Sequence, residues 1–257
     1  MYGRFARDMP RFLRLRMTPE LARSTISNRL ASREAGFIKF VDRAVFGWDR
    51  SPYLRLFEHA GCERGDLTRM VREDGLDSAL KKLDDAGVRV GFEEFKGRVP
   101  IVRGSLTLDV MPGDFDNPFT SRHFETQSSG STGLATRVNM DLDHVASTLP
   151  SMLLTHMALG VHGWPTILYR AGMPSSIVTN SVLRHLAVGN PVRRWFSPLT
   201  PSETASPLRF RIAERALPVL VNRSGGKFPR REVVPFDRAV VVARVAADYV
   251  RSEGRCL

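Results

Sequence analysis

The hydrophobic pattern of this 257-residue chain changes period near residue 95, and that change constrains the fold more than any other feature. Up to about residue 90 the apolar residues follow helical spacing, interrupted by helix start and stop signals. Beyond it, short extended runs alternate with helical ones. Residues 99–102 and the alternating Leu106, Leu108 and Val110 read as strands, and Pro112, Gly113 and Pro118 punctuate a loop. Residues 123–127 and 138–140 read as extended, 143–159 as helical, 165–169 as a strand and 176–187 as a helix ended by Gly189. A strand at 192–196, a helix at 207–217 and a last helix from Asp237 to Gly254 complete the pattern. Alternation of this kind places helices against a mostly parallel sheet. The expected class is therefore α/β: a helical N-terminal layer over residues 1–95, then an incomplete, mostly parallel or mixed sheet flanked by helices over residues 96–257.

The helical part is well punctuated. Thr18-Pro19-Glu20 is a start signal: a hydroxyl cap, a proline in the first turn, and an acid near the positive helix end. Ile26, Leu30, Phe37, Val41 and Val45 then follow helical spacing up to Gly47, and Ser51-Pro52 repeats the signal before Gly61. Two further short helices are expected at 66–74 and 76–86. Ahead of them, Arg4, Arg7, Arg11 and Arg14 recur at helical spacing, with Phe5, Phe12 and Leu13 on another side. That pattern fits an N-terminal helix packed on the body, with a membrane-surface or targeting helix as the alternative. No catalytic constellation occurs in this part.

Charge and cysteine content narrow the function classes. The 38 basic against 27 acidic residues leave a net charge of +11, but only 5 of the basic residues are lysine and the arginines are scattered. Nucleic-acid binders gather such charge into a face or tract, so a nucleic-acid partner is not expected. Cys62 and Cys256 make no disulfide framework, and no Cys/His group has zinc-ligand spacing, which points to a cytoplasmic setting. No apolar run reaches the length of a membrane span.

The chemistry concentrates in Gln127-Ser128-Ser129-Gly130-Ser131-Thr132-Gly133, between two expected strands. Glycine lets backbone N–H groups approach a ligand closely, hydroxyls add donors, and successive N–H groups form an anion-binding concavity. No Gly-Lys-Ser/Thr follows, so this is not a Walker A loop, and Gly-x-Ser-x-Gly is absent, so it is not a nucleophile elbow. Elsewhere, Ser224-Gly225-Gly226-Lys227 reads as a turn between a helix and a strand, and Asp141 and Asp143 as helix caps. Pro150 should kink its helix or mark its true first turn. His144, His156 and His162 lack a ligand spacing, and Trp164 and Trp195 read as packing residues.

Ser128 through Gly133 resembles the phosphate-binding signature of the AMP-forming adenylating enzymes, most closely the phenylacetate–CoA ligase and acyl-protein synthetase branch. The resemblance covers about residues 99–257, including the second strand at 136–140 and the helix begun by Asp141. It implies that Ser128, Ser129, Ser131 and Thr132 contact the β- and γ-phosphates of ATP, while Gly130 and Gly133 permit the wrap. The family continues with a residue, proline, then lysine or threonine; here the continuation is Leu134-Ala135-Thr136-Arg137, with Arg137 supplying the nearby positive charge. The implied reaction joins a carboxylic acid substrate to ATP as an acyl-adenylate, with Mg2+, before a thiol such as coenzyme A displaces AMP. The later family segments for magnesium and ribose, and the C-terminal lysine, have no counterpart in these residues. The expectation is thus the N-terminal portion of such an enzyme, cut short where a next strand should begin, with the missing half or a second copy as its partner. Two other classes stay open: a degenerate homologue that only binds or packs, and a basic nucleic-acid-binding module.

Overall fold

The computed structural model describes residues 2–121, 123–127, 137–172, 175–200 and 208–257. In chain order it begins with α1 (Tyr2–Leu13), α2 (Pro19–Ala31), α3 (Arg33–Val41) and a π-helical turn (Asp42–Phe46). Then come α4 (Pro52–His59), α5 (Arg64–Asp74), α6 (Leu76–Asp85) and the single turn α7 (Phe92–Phe95). Strands β1 (Ile101–Arg103), β2 (Leu106–Leu108), β3 (Phe124–Gln127) and β4 (Arg137–Met140) follow, then α8 (Leu142–Ser147) and α9 (Leu149–Ala158). The order closes with β5 (Thr166–Tyr169), α10 (Ile177–Ala187), β6 (Val192–Ser197), α11 (Leu208–Arg223), β7 (Arg231–Val233) and α12 (Val240–Glu253).

The protein is a mixed α/β chain. Its strands do not join into one mostly parallel sheet among the described residues. β1–β2 and β3–β4 are separate antiparallel pairs, and only β5–β6–β7 are parallel. The connections explain the difference. Two residues join β1 to β2 and residues 128–136 join β3 to β4, whereas a parallel pair needs a longer crossover. Helices α10 and α11 supply such crossovers for β5, β6 and β7.

The chain divides into two compact units, one of residues 27–120 and one of 1–26 with 121–257. That division departs from the expected boundary at residue 95. Ile101 of β1 is buried with the helical residues Val41, Leu56, Phe57, Leu67, Val71 and Leu83, so the first hairpin belongs with the helices that precede it. Phe5, Met9 and Phe12 of α1 are buried with Leu149, Leu153, Val182, Leu183, Phe210 and Val221, so the N-terminal helix belongs with the C-terminal part.

Within residues 27–120 the long expected helix is broken at Ser32, whose hydroxyl donates to Asn28 O at 2.7 Å, and it ends in the π turn, where Gly47 N donates to Asp42 O at 2.8 Å. Arg103 ties the hairpin to the helical layer. Its guanidinium bonds Glu94 through Nη1 at 2.8 Å and Nη2 at 3.1 Å, and Nε donates to Gly87 O at 3.0 Å. The hydrogen bonds from Arg103 hold the Glu94 carboxyl below its usual range.

In the other unit, α1 turns Phe5, Met9, Phe12 and Leu13 into the core and leaves Arg4, Arg7, Arg11 and Arg14 exposed. Its apolar face is used inside the protein, which accounts for the amphipathic pattern without a membrane surface. No helix among the described residues is long and apolar enough to cross a membrane. Pro150 falls in the first turn of α9, and the expected single helix is divided at Thr148, whose hydroxyl donates to Val145 O at 2.7 Å. At the free edge of β5, Leu257 N donates to Pro165 O at 2.8 Å and Ile167 N donates to Leu257 O at 2.9 Å. The last residue is thereby hydrogen-bonded to β5 in a parallel pattern.

Two glycines test how far backbone conformation and contact can be separated. Gly61 and Gly97 have nearly the same positive φ, 63° and 64°. A Cβ on Gly61 would meet nothing within 4 Å, whereas one on Gly97 would lie 2.6 Å from Val110 O. Gly61→Ala should cost about 1 kcal/mol of strain, and Gly97→Ala about 2–3 kcal/mol because backbone must also shift. Urea denaturation of both variants beside the parent checks the order; equal losses would contradict it.

Candidate functional site

The Ser/Thr/Gly segment is bracketed by an antiparallel ladder. Its rungs run from Phe124↔Met140 through Glu125↔Asn139 and Thr126↔Val138 to Gln127↔Arg137, and His123 N extends it by donating to Met140 O at 2.8 Å. Ser128, Ser129, Gly130, Ser131, Thr132 and Gly133 lie outside the described residues. Arg137 is placed by its backbone, as the first residue of β4, on the rung next to the segment. The strand–segment–strand arrangement is therefore present.

The base of this hairpin is held by a buried histidine. His123 is 1% exposed. Its Nδ1 accepts the backbone N–H of Leu142 at 3.2 Å, which puts the ring proton on Nε2. Nε2 then donates to Asp8 Oδ2 at 3.1 Å, and the Phe5 ring meets the imidazole edge-on, with centroids 6.1 Å apart. The bond from His123 holds the Asp8 carboxyl below its usual range. Beside it, Asp141 caps α8: Oδ1 accepts Asp143 N at 2.8 Å, and Oδ2 accepts Ser121 N at 3.2 Å. One imidazole thus links α1, the hairpin and the start of α8. Nothing local marks His123 for this role, because its partners lie far away in sequence or on the backbone.

A second polar group gathers at the carboxyl ends of β5 and β6, where open parallel sheets present their ligand crevice. Arg231 of β7 bonds Glu214 of α11 at 2.7 Å and Ser197 Oγ at 2.9 Å, and it also donates to Leu199 O. Burial pushes the Glu214 carboxyl up, against the opposing pull of Arg231. Trp195 Nε1 donates to Arg170 O at 2.8 Å, and a Cβ on Gly172 would strike Glu214 Oε1. A side chain at position 172 would therefore push the Glu214 carboxylate from its place beside Arg231. Sequence spacing gave no sign of Glu214 or Arg231, which only the sheet order brings together.

The remaining candidates resolve into structural roles. Ser224 N donates to Leu220 O at 3.0 Å and Gly226 N to Val221 O at 3.0 Å, so the turn after α11 uses its donors on helix carbonyls. Among the described residues no three His, Cys, Asp or Glu side chains are grouped to hold a metal ion. Many arginines are paired across the surface, as in Arg33–Asp77, Arg64–Asp42 and Arg194–Glu232, and this disperses the basic charge.

His144 and His162 are exposed, but His156 packs at a tilt against His185 of α10, ring centroids 5.4 Å apart, a partner the sequence did not single out. Nδ1 of each ring is buried without a hydrogen bond. Burial, reinforced by the neighbouring His156, pushes His185 down to about 4.

No family model, no curated protein and no solved structure matches this chain.

The histidine pair makes stability depend on pH with a definite sign. Its ordinary value of 6.5 applies in the unfolded chain, so below it the unfolded state takes a proton that folded His185 refuses until about pH 4. Stability is therefore present above pH 6.5 and lost as pH falls from 6.5 to 4, by on the order of 3 kcal/mol. Urea midpoints across that window should slope less in His185→Gln than in the parent. Parallel slopes would contradict the reading.

Proposed function

We propose that this chain binds the phosphates of ATP on residues 128–133, in the AMP-forming activation of a carboxylic acid ahead of thioester formation. The observation that carries the proposal is the placement of the Ser/Thr/Gly run. It connects two antiparallel strands whose rungs reach Gln127↔Arg137, and β4 leads through Asp141 into a capped helix. This is the order of elements in the family that the run resembles. Ser128, Ser129, Ser131 and Thr132 would donate to β- and γ-phosphate oxygens, and Gly130 and Gly133 would let backbone N–H groups close around them. Arg137, the first residue of β4, would supply the nearby positive charge.

Chemically, a carboxylate oxygen attacks the α-phosphorus, the bond to the β-phosphate oxygen breaks, and pyrophosphate leaves with the electron pair. Backbone N–H dipoles of residues 128–133 would stabilise the charge that develops on the departing pyrophosphate. No residue of this chain is assigned to the Mg2+ that accompanies the nucleotide, nor to coenzyme A. The segments that the resemblance gives to ribose and to the adenylation lysine have no counterpart among the 257 residues. The chain by itself is therefore expected to bind ATP without completing adenylation.

Calorimetric titration with Mg·ATP tests the proposal, and pyrophosphate exchange over a panel of carboxylic acids should stay at background for this chain alone. Gly130→Val should weaken ATP binding at least tenfold with an unchanged melting temperature, since the steric burden falls on the wrapped conformation. Thr132→Ala should cost about 1–3 kcal/mol of binding, the scale of one hydrogen bond to a charged group. Undiminished ATP binding in a folded Gly130→Val variant would return the segment to an ordinary loop.

A further inference from the structure

A cavity of about 390 Å3 lies between α11 and the approach to β7, lined on its aromatic side by Trp195 and Phe228. Those two rings are buried and meet edge to face, 6.1 Å between centroids. Pro218 and Asn222 of α11 also line it, and Asn222 Oδ1 accepts Phe228 N at 2.9 Å.

The charged lining is one-sided. Arg211 and Arg215 stand one turn apart on α11, and Arg230 precedes β7. All three are exposed, and among the described residues none has a hydrogen bond or ion pair. Glu214 is the acid in the lining, and it is paired with Arg231 at 2.7 Å. Three guanidiniums therefore face one cavity without a counter-charge. Arg231 adds a fourth beside them, its Nε buried without an acceptor.

Clustered like charges repel, and a planar guanidinium fits phosphate oxygens in pairs. The buried aromatic side lowers the local dielectric and strengthens any charge interaction formed there. The volume lies in the range of about 300–1,000 Å3 of small-molecule sites. From these features we propose that the cavity between α11 and β7 binds a small organic phosphate carrying at least two negative charges. Its phosphate would sit among Arg211, Arg215 and Arg230, and its carbon framework against Phe228 and Pro218. This site is additional to the segment at 128–133 and does not rest on the reading of that segment.

Pyrophosphate is the probe, titrated calorimetrically at low ionic strength into the parent and into Arg215→Ala, Arg230→Ala and Thr132→Ala. Both arginines are exposed, so the variants should keep the parent's melting temperature. The expected result is pyrophosphate binding that weakens about tenfold in each arginine variant, the effect of losing one charge-assisted contact, and is retained in Thr132→Ala. Binding that ignores both arginines, or that is lost only in Thr132→Ala, would overturn the proposal. So would no pyrophosphate binding at all, including the case where the same arginines support only salt-sensitive polynucleotide binding.

Discussion

A single buried imidazole ties three elements of the larger unit together: α1, the β3–β4 hairpin and α8. His123 is enclosed on every side, and its two ring nitrogens are both engaged, one by the backbone of Leu142 and the other by Asp8. An imidazole buried without those partners would carry unsatisfied polar atoms, at a cost of about 1–3 kcal/mol for each. The requirement fixes three things at once. α1 must lie across the hairpin base, β4 must turn directly into α8, and the chain before β3 must run antiparallel to Met140. With the apolar face of α1 buried in the same core, residues 1–26 group with residues 121–257 rather than with residues 27–120.

Much of the local structure was legible because its causes are local. Thr18-Pro19 starts α2, with Thr18 Oγ1 accepting Leu21 N at 3.2 Å, and Asp141 caps α8 as its residue type suggests. Pro150 marks a first turn, and Gly61, Gly75, Gly189 and Gly254 end helices with positive φ. The apolar face of α1 was visible in its spacing, and it is filled by core.

What the sequence concealed depends on distant partners. The pairs Asp8–His123 and Glu214–Arg231 join positions 115 and 17 residues apart, and His156–His185 joins two helices. No periodicity encodes such meetings. The mostly parallel or mixed sheet expected from the alternation is present in part: β5–β6–β7 are parallel, while short connections make the other two strand pairs separate and antiparallel. The boundary near residue 95 followed the change of period, whereas the units follow which apolar residues are buried together. The candidate segment itself was conspicuous by composition, and the two strands that flank it were expected; the histidine that anchors their base was not.

Electrostatics links the two proposed sites without making them one. The segment at 128–133 would hold phosphates mainly through backbone and hydroxyl donors, whereas the cavity beside α11 would do so through guanidiniums. The central claim is the first of these: a hairpin fixed at its base by His123 presents a phosphate-binding connection at its other end. Amide hydrogen exchange, followed by peptide mass with and without Mg·ATP, tests it most directly. Added nucleotide should raise protection across residues 124–140 and leave residues 27–120 unchanged. Unaltered exchange across 124–140 at saturating Mg·ATP would contradict it.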